Sequence, residues 1–193
     1  MPENVAVEST RRRLSGKRAD TVRRLGRATV EVLREVGYHD LTLQAVAAQA
    51  GVARATAYTY FSSKDHLIAE VYWRRLAMEQ PPESSSADVK TRVIAVLRRL
   101  AFLIADEPAL AYAIRVVINS SDPDVELLRA EIIKHTHELI SAAVADDADE
   151  ETVSLLELVY SGAMVRAGAG RASYADVADQ LELAVRRILQ PSA

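Results

Sequence analysis

The chain of 193 residues contains no cysteine, which excludes disulfides, thiolate nucleophiles and cysteine-bound zinc and gives no sign of an oxidising compartment. Glycine and proline are scarce, with 7 and 6 copies, and aromatic residues make up only 5%. Long apolar runs are missing as well. The longest uncharged stretches, such as Leu158 to Val165, fall far short of the roughly 18 residues needed to cross a bilayer. The first fourteen residues carry Glu3, Glu8 and Arg11-Arg12-Arg13 where a secretion signal needs an apolar core. These absences predict a cytoplasmic protein with no membrane association.

What is present is 49% hydrophobic and 26% charged, a composition that supports one large or two small packed domains. The net charge of -3 conceals an asymmetry: residues 1–80 hold 13 Lys/Arg against 9 Asp/Glu, and residues 81–193 hold 11 against 18. A basic front and an acidic rear suit a protein that turns one face to a polyanion. Chance clustering of surface charge gives the same numbers unless a motif coincides with the basic part.

Apolar residues recur at helical spacing almost throughout, so the fold class is all-α. A first helix over about Asp20–Val36 aligns Val22, Leu25, Thr29, Val32, Leu33 and Val36, with Gly37 as its stop. A short helix follows the N-cap Thr42 and ends at Gly51, and another spans about Arg54–Tyr60. Ser62-Ser63-Lys64-Asp65 fits a capping box with Ser62 as N-cap, opening a fourth helix to about Glu79. Pro81-Pro82-Glu83-Ser84-Ser85-Ser86 reads as a linker.

Beyond it, Val89, Val93, Val96, Leu97, Leu100, Leu103 and Ile104 mark a fifth helix, and a shorter one runs from Pro108 to about Asn119. Asp122-Pro123 places a capping residue before a proline at the first helical position, opening a helix with the stripe Val125, Leu128, Ile132, Leu139 and Ala143. Two last helices are predicted over about Asp149–Ala169 and Tyr174–Gln190. The first of them is apolar over most of its girth, which requires a partner.

Two short helices joined by a tight glycine turn and preceded by a longer helix form the helix-turn-helix layout. Here charge and motif coincide, because Arg11 to Lys64 holds 11 Lys/Arg against 4 Asp/Glu. The run from Leu41 to Leu67, LTLQAVAAQAGVARATAYTYFSSKDHL, resembles the N-terminal domain of TetR-family repressors. It has the Thr before the second helix, Ala-Gly-Val at the turn, Thr-x-Tyr-x-Tyr-Phe in the third helix, and Ser-Lys-Asp-x-Leu after it.

The resemblance implies nine or ten helices and an organisation into a basic arm (1–19), a helix-turn-helix domain (20–66) and a larger ligand-binding and dimerisation domain (67–193). It implies that Thr42 and Lys64 bind phosphates, that Arg54, Ala55, Thr56 and Thr59 face base edges, and that Tyr58 and Tyr60 touch backbone phosphate or a thymine methyl. Phe61, Val46 and Ala50 are expected in the core. The chain departs from the family pattern at Ala53 and Ala55, where Ser and Gly are common, and at Ala57, where Leu is frequent. Without the usual N-cap, worth about 0.5–2 kcal/mol, the recognition helix is expected to fray until DNA supports it. Arg11, Arg12, Arg13, Lys17 and Arg18 form either a minor-groove arm or a solvated tail. Arg23 and Arg24 read equally as phosphate contacts or a solvated face, and Arg27 as solvated.

By the same resemblance a pocket lies among helices four to eight, with Trp73, Phe102, Leu103, Tyr112, Ile114 and Tyr160 as lining candidates. Their apolar character favours a hydrophobic or amphipathic effector over a sugar or nucleotide. The ending Gly170-Arg171-Ala172-Ser173 before the last helix is similar to that of regulators of lipid or steroid breakdown, which implies a lipid- or steroid-related one. The last two helices would form the homodimer interface, where Ser161, Gly162, Ala163 and Gly168 permit close approach.

Double-stranded operator DNA, a small effector and a second copy are the expected partners, with no cofactor and no metal. An enzymatic reading rests on His135-x-His137, but positions two apart diverge by about 200° on a helix and cannot share a ligand. A helical interaction scaffold without DNA binding needs neither the basic bias nor the Thr42 to Lys64 pattern.

Overall fold

The computed structural model describes residues 16–82 and 88–190. The Arg11–Arg13 part of the arm and the Glu83–Ser86 part of the linker lie outside the described residues. Those described form nine α-helices and no strand: α1 (Gly16–Asp40), α2 (Leu43–Gln49), α3 (Arg54–Tyr60), α4 (Lys64–Leu76), α5 (Val89–Phe102), α6 (Pro108–Val117), α7 (Pro123–Val144), α8 (Glu150–Gly168) and α9 (Tyr174–Ile188). None of them is long and apolar enough to cross a membrane.

The chain divides into two compact units, one of residues up to Ala77 with Ala109–Glu131, the other of Met78–Pro108 with Ile132–Ala193. In the first, α1 packs on α2 and α4, and α2 on α3. Val22, Leu25, Thr29, Val32 and Leu33 are buried as the helical stripe requires, but Val36 is exposed. The helix breaks at Gly37, which adopts φ 73° and ψ 176°, and resumes to Asp40 beyond it. One long and two short helices make a marginal core alone. Accordingly α4 is buried over nine of its thirteen residues, and the unit takes in α6 and the first turns of α7, a larger assembly than the 20–66 segment.

In the second unit α9 packs on both α5 and α8. The buried stripe of α9 is Val177, Leu181 and Val185, with Ala184 and Ile188 half-buried. Arg92 from α5 donates to the Ala143 carbonyl (3.0 Å) and pairs with Asp147, satisfying the open C-terminal end of α7.

Carboxylates start several helices. Asp88, Asp149 and Asp176 each accept bonds in a first turn, and Ser173 with Asp176 forms a full capping box on α9. Hydroxyl donation by Thr91, Thr152 and Ser173 respectively, reinforced by backbone N–H groups, holds all three below the ordinary value of 3.8. A pKa lowered by folding contributes stability that is present above the unfolded value and lost as pH falls through the folded one. The thermal midpoint should therefore drop as pH falls below about 4. Asp88→Asn combined with Asp149→Asn should flatten that part of the profile.

Candidate nucleic-acid interface

Thr42 has an extended backbone (φ -127°, ψ 149°), and its hydroxyl accepts from Ala45 N at 3.1 Å, so it caps α2 as its residue type predicts. The side chain is otherwise exposed. At the other end of α2, Gly51 N donates to Ala48 O (3.0 Å) and Val52 N to Ala47 O (2.9 Å). This reciprocal pair is a Schellman ending, which needs its glycine in the left-handed region, and Gly51 has φ 61°. Gly51→Ala should cost about 1–2 kcal/mol, read as a lower urea midpoint, because alanine is strained at that φ.

The recognition helix α3 forms without a side-chain N-cap, since Ala53 has none to offer. Its outward residues are Arg54, Ala55, Tyr58 and Thr59, with the Arg54 guanidinium 5.5 Å from the Tyr58 ring centroid. The Thr59 hydroxyl donates to Ala55 O at 3.0 Å, and Thr56 is half-buried. Tyr60 is only 8% exposed. It lies at i+3 from the buried Ala57 and beside the buried Phe61, so helical geometry turns it inward with them, away from the surface role assigned to it. Val46 and Phe61 are core as expected, whereas Ala50, at the end of α2, is half-buried.

The turn after α3 differs from its sequence reading by one residue. Ser63, not Ser62, caps α4, accepting from His66 N at 3.0 Å. Ser62 instead donates to the Asp124 carboxylate, and the Ser63 hydroxyl donates to Asp122. Asp65 does not close a capping box; it accepts from the Tyr38 hydroxyl (2.9 Å) and from the Ser120 hydroxyl (3.0 Å). His66 is fully buried, edge-on to Phe61 at 5.3 Å and 3.5 Å from Asp124.

A serine–aspartate clasp thus fastens the α3–α4 turn to the α6–α7 loop inside one unit. Asp122 both opens α7, through Asp124 N at 2.9 Å, and takes the Ser63 hydroxyl. Burial alone would raise its pKa, but Ser63, the Asp124 and Val125 N–H groups and nearby His66 together hold it below the ordinary value. For Tyr38, burial and then the Asp65 carboxylate push the phenol up to about 12.

Lys64 also has an unforeseen place. Its Nζ donates to the carbonyls of Tyr38 (2.9 Å) and His39 (3.0 Å) and lies 4.5 Å from the Tyr38 ring centroid. It satisfies the end of α1, so binding a phosphate requires it to share or leave those carbonyls. Arg24 carries a role the sequence left open. Its Nη2 donates to the carbonyls of Ala50 (2.6 Å) and Gly51 (2.9 Å). No spacing rule marks a partner 26 residues away on another helix.

The six lining candidates fall in two groups. Trp73, Tyr112 and Ile114 belong to the first unit, with Trp73 and Ile114 buried and Tyr112 exposed, its hydroxyl 3.3 Å from His39 Nε2. Phe102, Leu103 and Tyr160 belong to the second, where Phe102 is exposed under the Arg98 guanidinium and Tyr160 is buried. His137 bonds Glu157 at 2.9 Å, and no group of three potential metal ligands occurs among the described residues.

Residues 26–71 match the family profile described as "Bacterial regulatory proteins, tetR family", and residues 86–188 match "Tetracyclin repressor-like, C-terminal domain". An uncharacterized HTH-type transcriptional regulator of Mycobacterium tuberculosis is 40% identical over 190 residues, covering 97% of this chain and 87% of the relative. The fatty acid metabolism regulator protein of Bacillus subtilis is 29% identical over 111 residues, covering 55% of this chain and 57% of the relative. Among solved structures, a TetR transcriptional regulator from Rhodococcus sp. RHA1 superposes with a TM-score of 0.74 at 24% identity, covering 91% of this chain and 97% of that one.

Proposed function

The chain belongs to the tetR family of bacterial regulatory proteins, and from that premise we propose that it is a dimeric repressor released from its operator by a small hydrophobic or amphipathic ligand. The observation that carries the DNA-binding half of this reading is the outer face of α3, where Arg54, Tyr58 and Thr59 stand exposed on a helix fixed by a Schellman turn. An arginine so placed suits bidentate bonding to guanine O6 and N7 in a major groove. Thr42, at the start of α2, suits a phosphate.

Ligand response is supported by the serine–aspartate clasp. A ligand that displaces α6 moves Asp122 and Asp124 with the loop that follows it, and these aspartates hold Ser63 and Ser62 at the end of the recognition helix. A coupling of about 1–3 kcal/mol is enough to weaken DNA binding 5- to 150-fold. The name of the Bacillus subtilis relative and the apolar lining candidates favour a lipid-related effector, of which a fatty acyl thioester is the simplest class. The likeness of the Gly170-Arg171-Ala172-Ser173 ending makes a steroid derivative the next.

Dimerisation is supported by the surface of α8. Leu155, Leu158 and Val165 are 50%, 69% and 66% exposed and, with Gly162, follow the 3-4-3 spacing of a helix-packing seam. A Cβ added at Gly162 meets nothing within 4 Å, so its lack of a side chain serves no packing within the subunit. Leu183 on α9 is exposed as well.

The test is binding of the purified protein to the DNA upstream of its own gene, with long-chain acyl-CoA and a steroid-derived CoA thioester added separately. Binding without additive and release by one of them is expected. No DNA binding, or binding indifferent to both, would sink the reading at the corresponding half. Asp124→Ala should keep DNA binding while losing most of the response to the releasing compound.

A further inference from the structure

We propose that Arg24 is a positioning residue for DNA recognition, which locks from α1 the turn that carries the recognition helix. The inference rests on the DNA-binding reading of α3. The Schellman pair that ends α2 uses the carbonyls of Ala47 and Ala48, and the carbonyls of Ala50 and Gly51 take no backbone N–H at the turn. Both are taken by the same guanidinium nitrogen of Arg24, at 2.6 and 2.9 Å. The positive charge also lies at the negative end of the α2 dipole.

The fit is close as well as polar. A Cβ on Gly51 would stand 3.1 Å from Arg24 Nη2, so the turn presents bare backbone to the guanidinium. The base of Arg24 is rigid, because its neighbours Val22, Leu25 and Ala28 are buried on α1. Its other neighbours differ. Arg23 is exposed and pairs with Asp20 at 2.9 Å, and Arg27 is exposed.

The need for such a lock follows from Ala53. A side-chain N-cap would fix the start of α3 by bonding its first N–H groups, and Ala53 makes no such bond. Three residues earlier, Arg24 fixes the same turn from its carbonyl side. One device stands in for the other, and α3 is held at its entry by a side chain from α1.

Arg24→Ala and Arg24→Lys would be compared with the wild type at a temperature where all remain folded by circular dichroism. Amide exchange, which needs no DNA, should quicken at least tenfold over residues 50–56 in Arg24→Ala and stay unchanged over the rest of α1. On DNA, affinity for the upstream duplex should fall at least tenfold, affinity for an unrelated duplex should stay the same, and the slope of log affinity against log salt should not change. Lysine keeps the charge but carries it as a compact ammonium on a flexible stem rather than on a rigid planar group, and should recover only part. Adding Ala53→Ser to Arg24→Ala should restore more affinity than Ala53→Ser adds to the wild type.

A salt slope shallower by about one per head would make Arg24 a phosphate contact and overturn the proposal. Unchanged exchange and unchanged operator affinity would overturn it as well. If exchange quickens as expected but the wild type binds no DNA, the DNA-binding reading has failed and the positioning role falls with it, while the lock itself stands.

Discussion

Leu158→Glu is expected to convert the protein to a monomer and to remove tight binding to a two-half-site operator. Leu158 is the most exposed apolar side chain of α8, at 69%, in the seam with Leu155, Gly162 and Val165. Burial of a leucine is worth about 1.5–3 kcal/mol, and a two-fold axis counts each substitution twice. The loss is therefore about 3–6 kcal/mol, or about 10²- to 10⁴-fold in dimer dissociation. Two carboxylates forced together raise it further. Sedimentation should show a monomer with unchanged helicity. Operator affinity should fall by a similar factor, since one head without its tethered partner loses the gain of simultaneous engagement. A variant that stays dimeric would move the interface elsewhere.

Phe61→Ala should be the most damaging single truncation in the DNA-binding head. Phe61 is the largest fully buried side chain among the described residues, packed edge-on against buried His66 and closing the inner face of α3 with Ala57 and Tyr60. Replacement of a buried phenylalanine by alanine costs about 3–5 kcal/mol, a large part of the 5–15 kcal/mol available to a typical domain. For a chain of this size that lowers the thermal midpoint by about 6–20 °C. Tyr58→Ala, three residues earlier on the outer face, should change stability by no more than about 0.5 kcal/mol while still weakening DNA binding. Urea unfolding of both variants separates the two faces of one helix, and equal costs would contradict the assignment of inside and outside.

Local rules made much of this legible from residues alone. Thr42 caps α2, Gly51 ends it, Asp122-Pro123 opens α7, and α3 has the predicted limits, because each depends on backbone groups within a few residues. The failures share a cause: distant partners chose between locally equal options. Ser62 and Ser63 are alike as capping residues, and only Asp124 and Asp122 decide which hydroxyl goes where. Arg23, Arg24 and Arg27 look equivalent until Ala50 and Gly51 are placed beside one of them. Lys64 likewise meets the Tyr38 and His39 carbonyls at the end of α1, partners that no local rule marks.

Tyr60 is a different case: at i+3 from Ala57 it shares that residue's buried face, whereas the family pattern implies a contact with phosphate or a thymine methyl. The absent cap at Ala53 was visible, and its remedy was not. A short helix without a cap frays unless its entry is held elsewhere, and the hold comes from a side chain 29 positions earlier in the chain.

The most direct test of the central claim, that the outer face of α3 reads DNA, is a salt titration of binding to the DNA upstream of the gene by the wild type and Arg54→Ala. The wild type should lose about 10³- to 10⁵-fold in affinity between 50 and 200 mM salt, as expected for six to ten phosphate contacts. Arg54→Ala should bind that DNA more weakly by about 1–3 kcal/mol, with a much smaller change on unrelated DNA. Equal binding by the two proteins, or binding insensitive to salt, would contradict it.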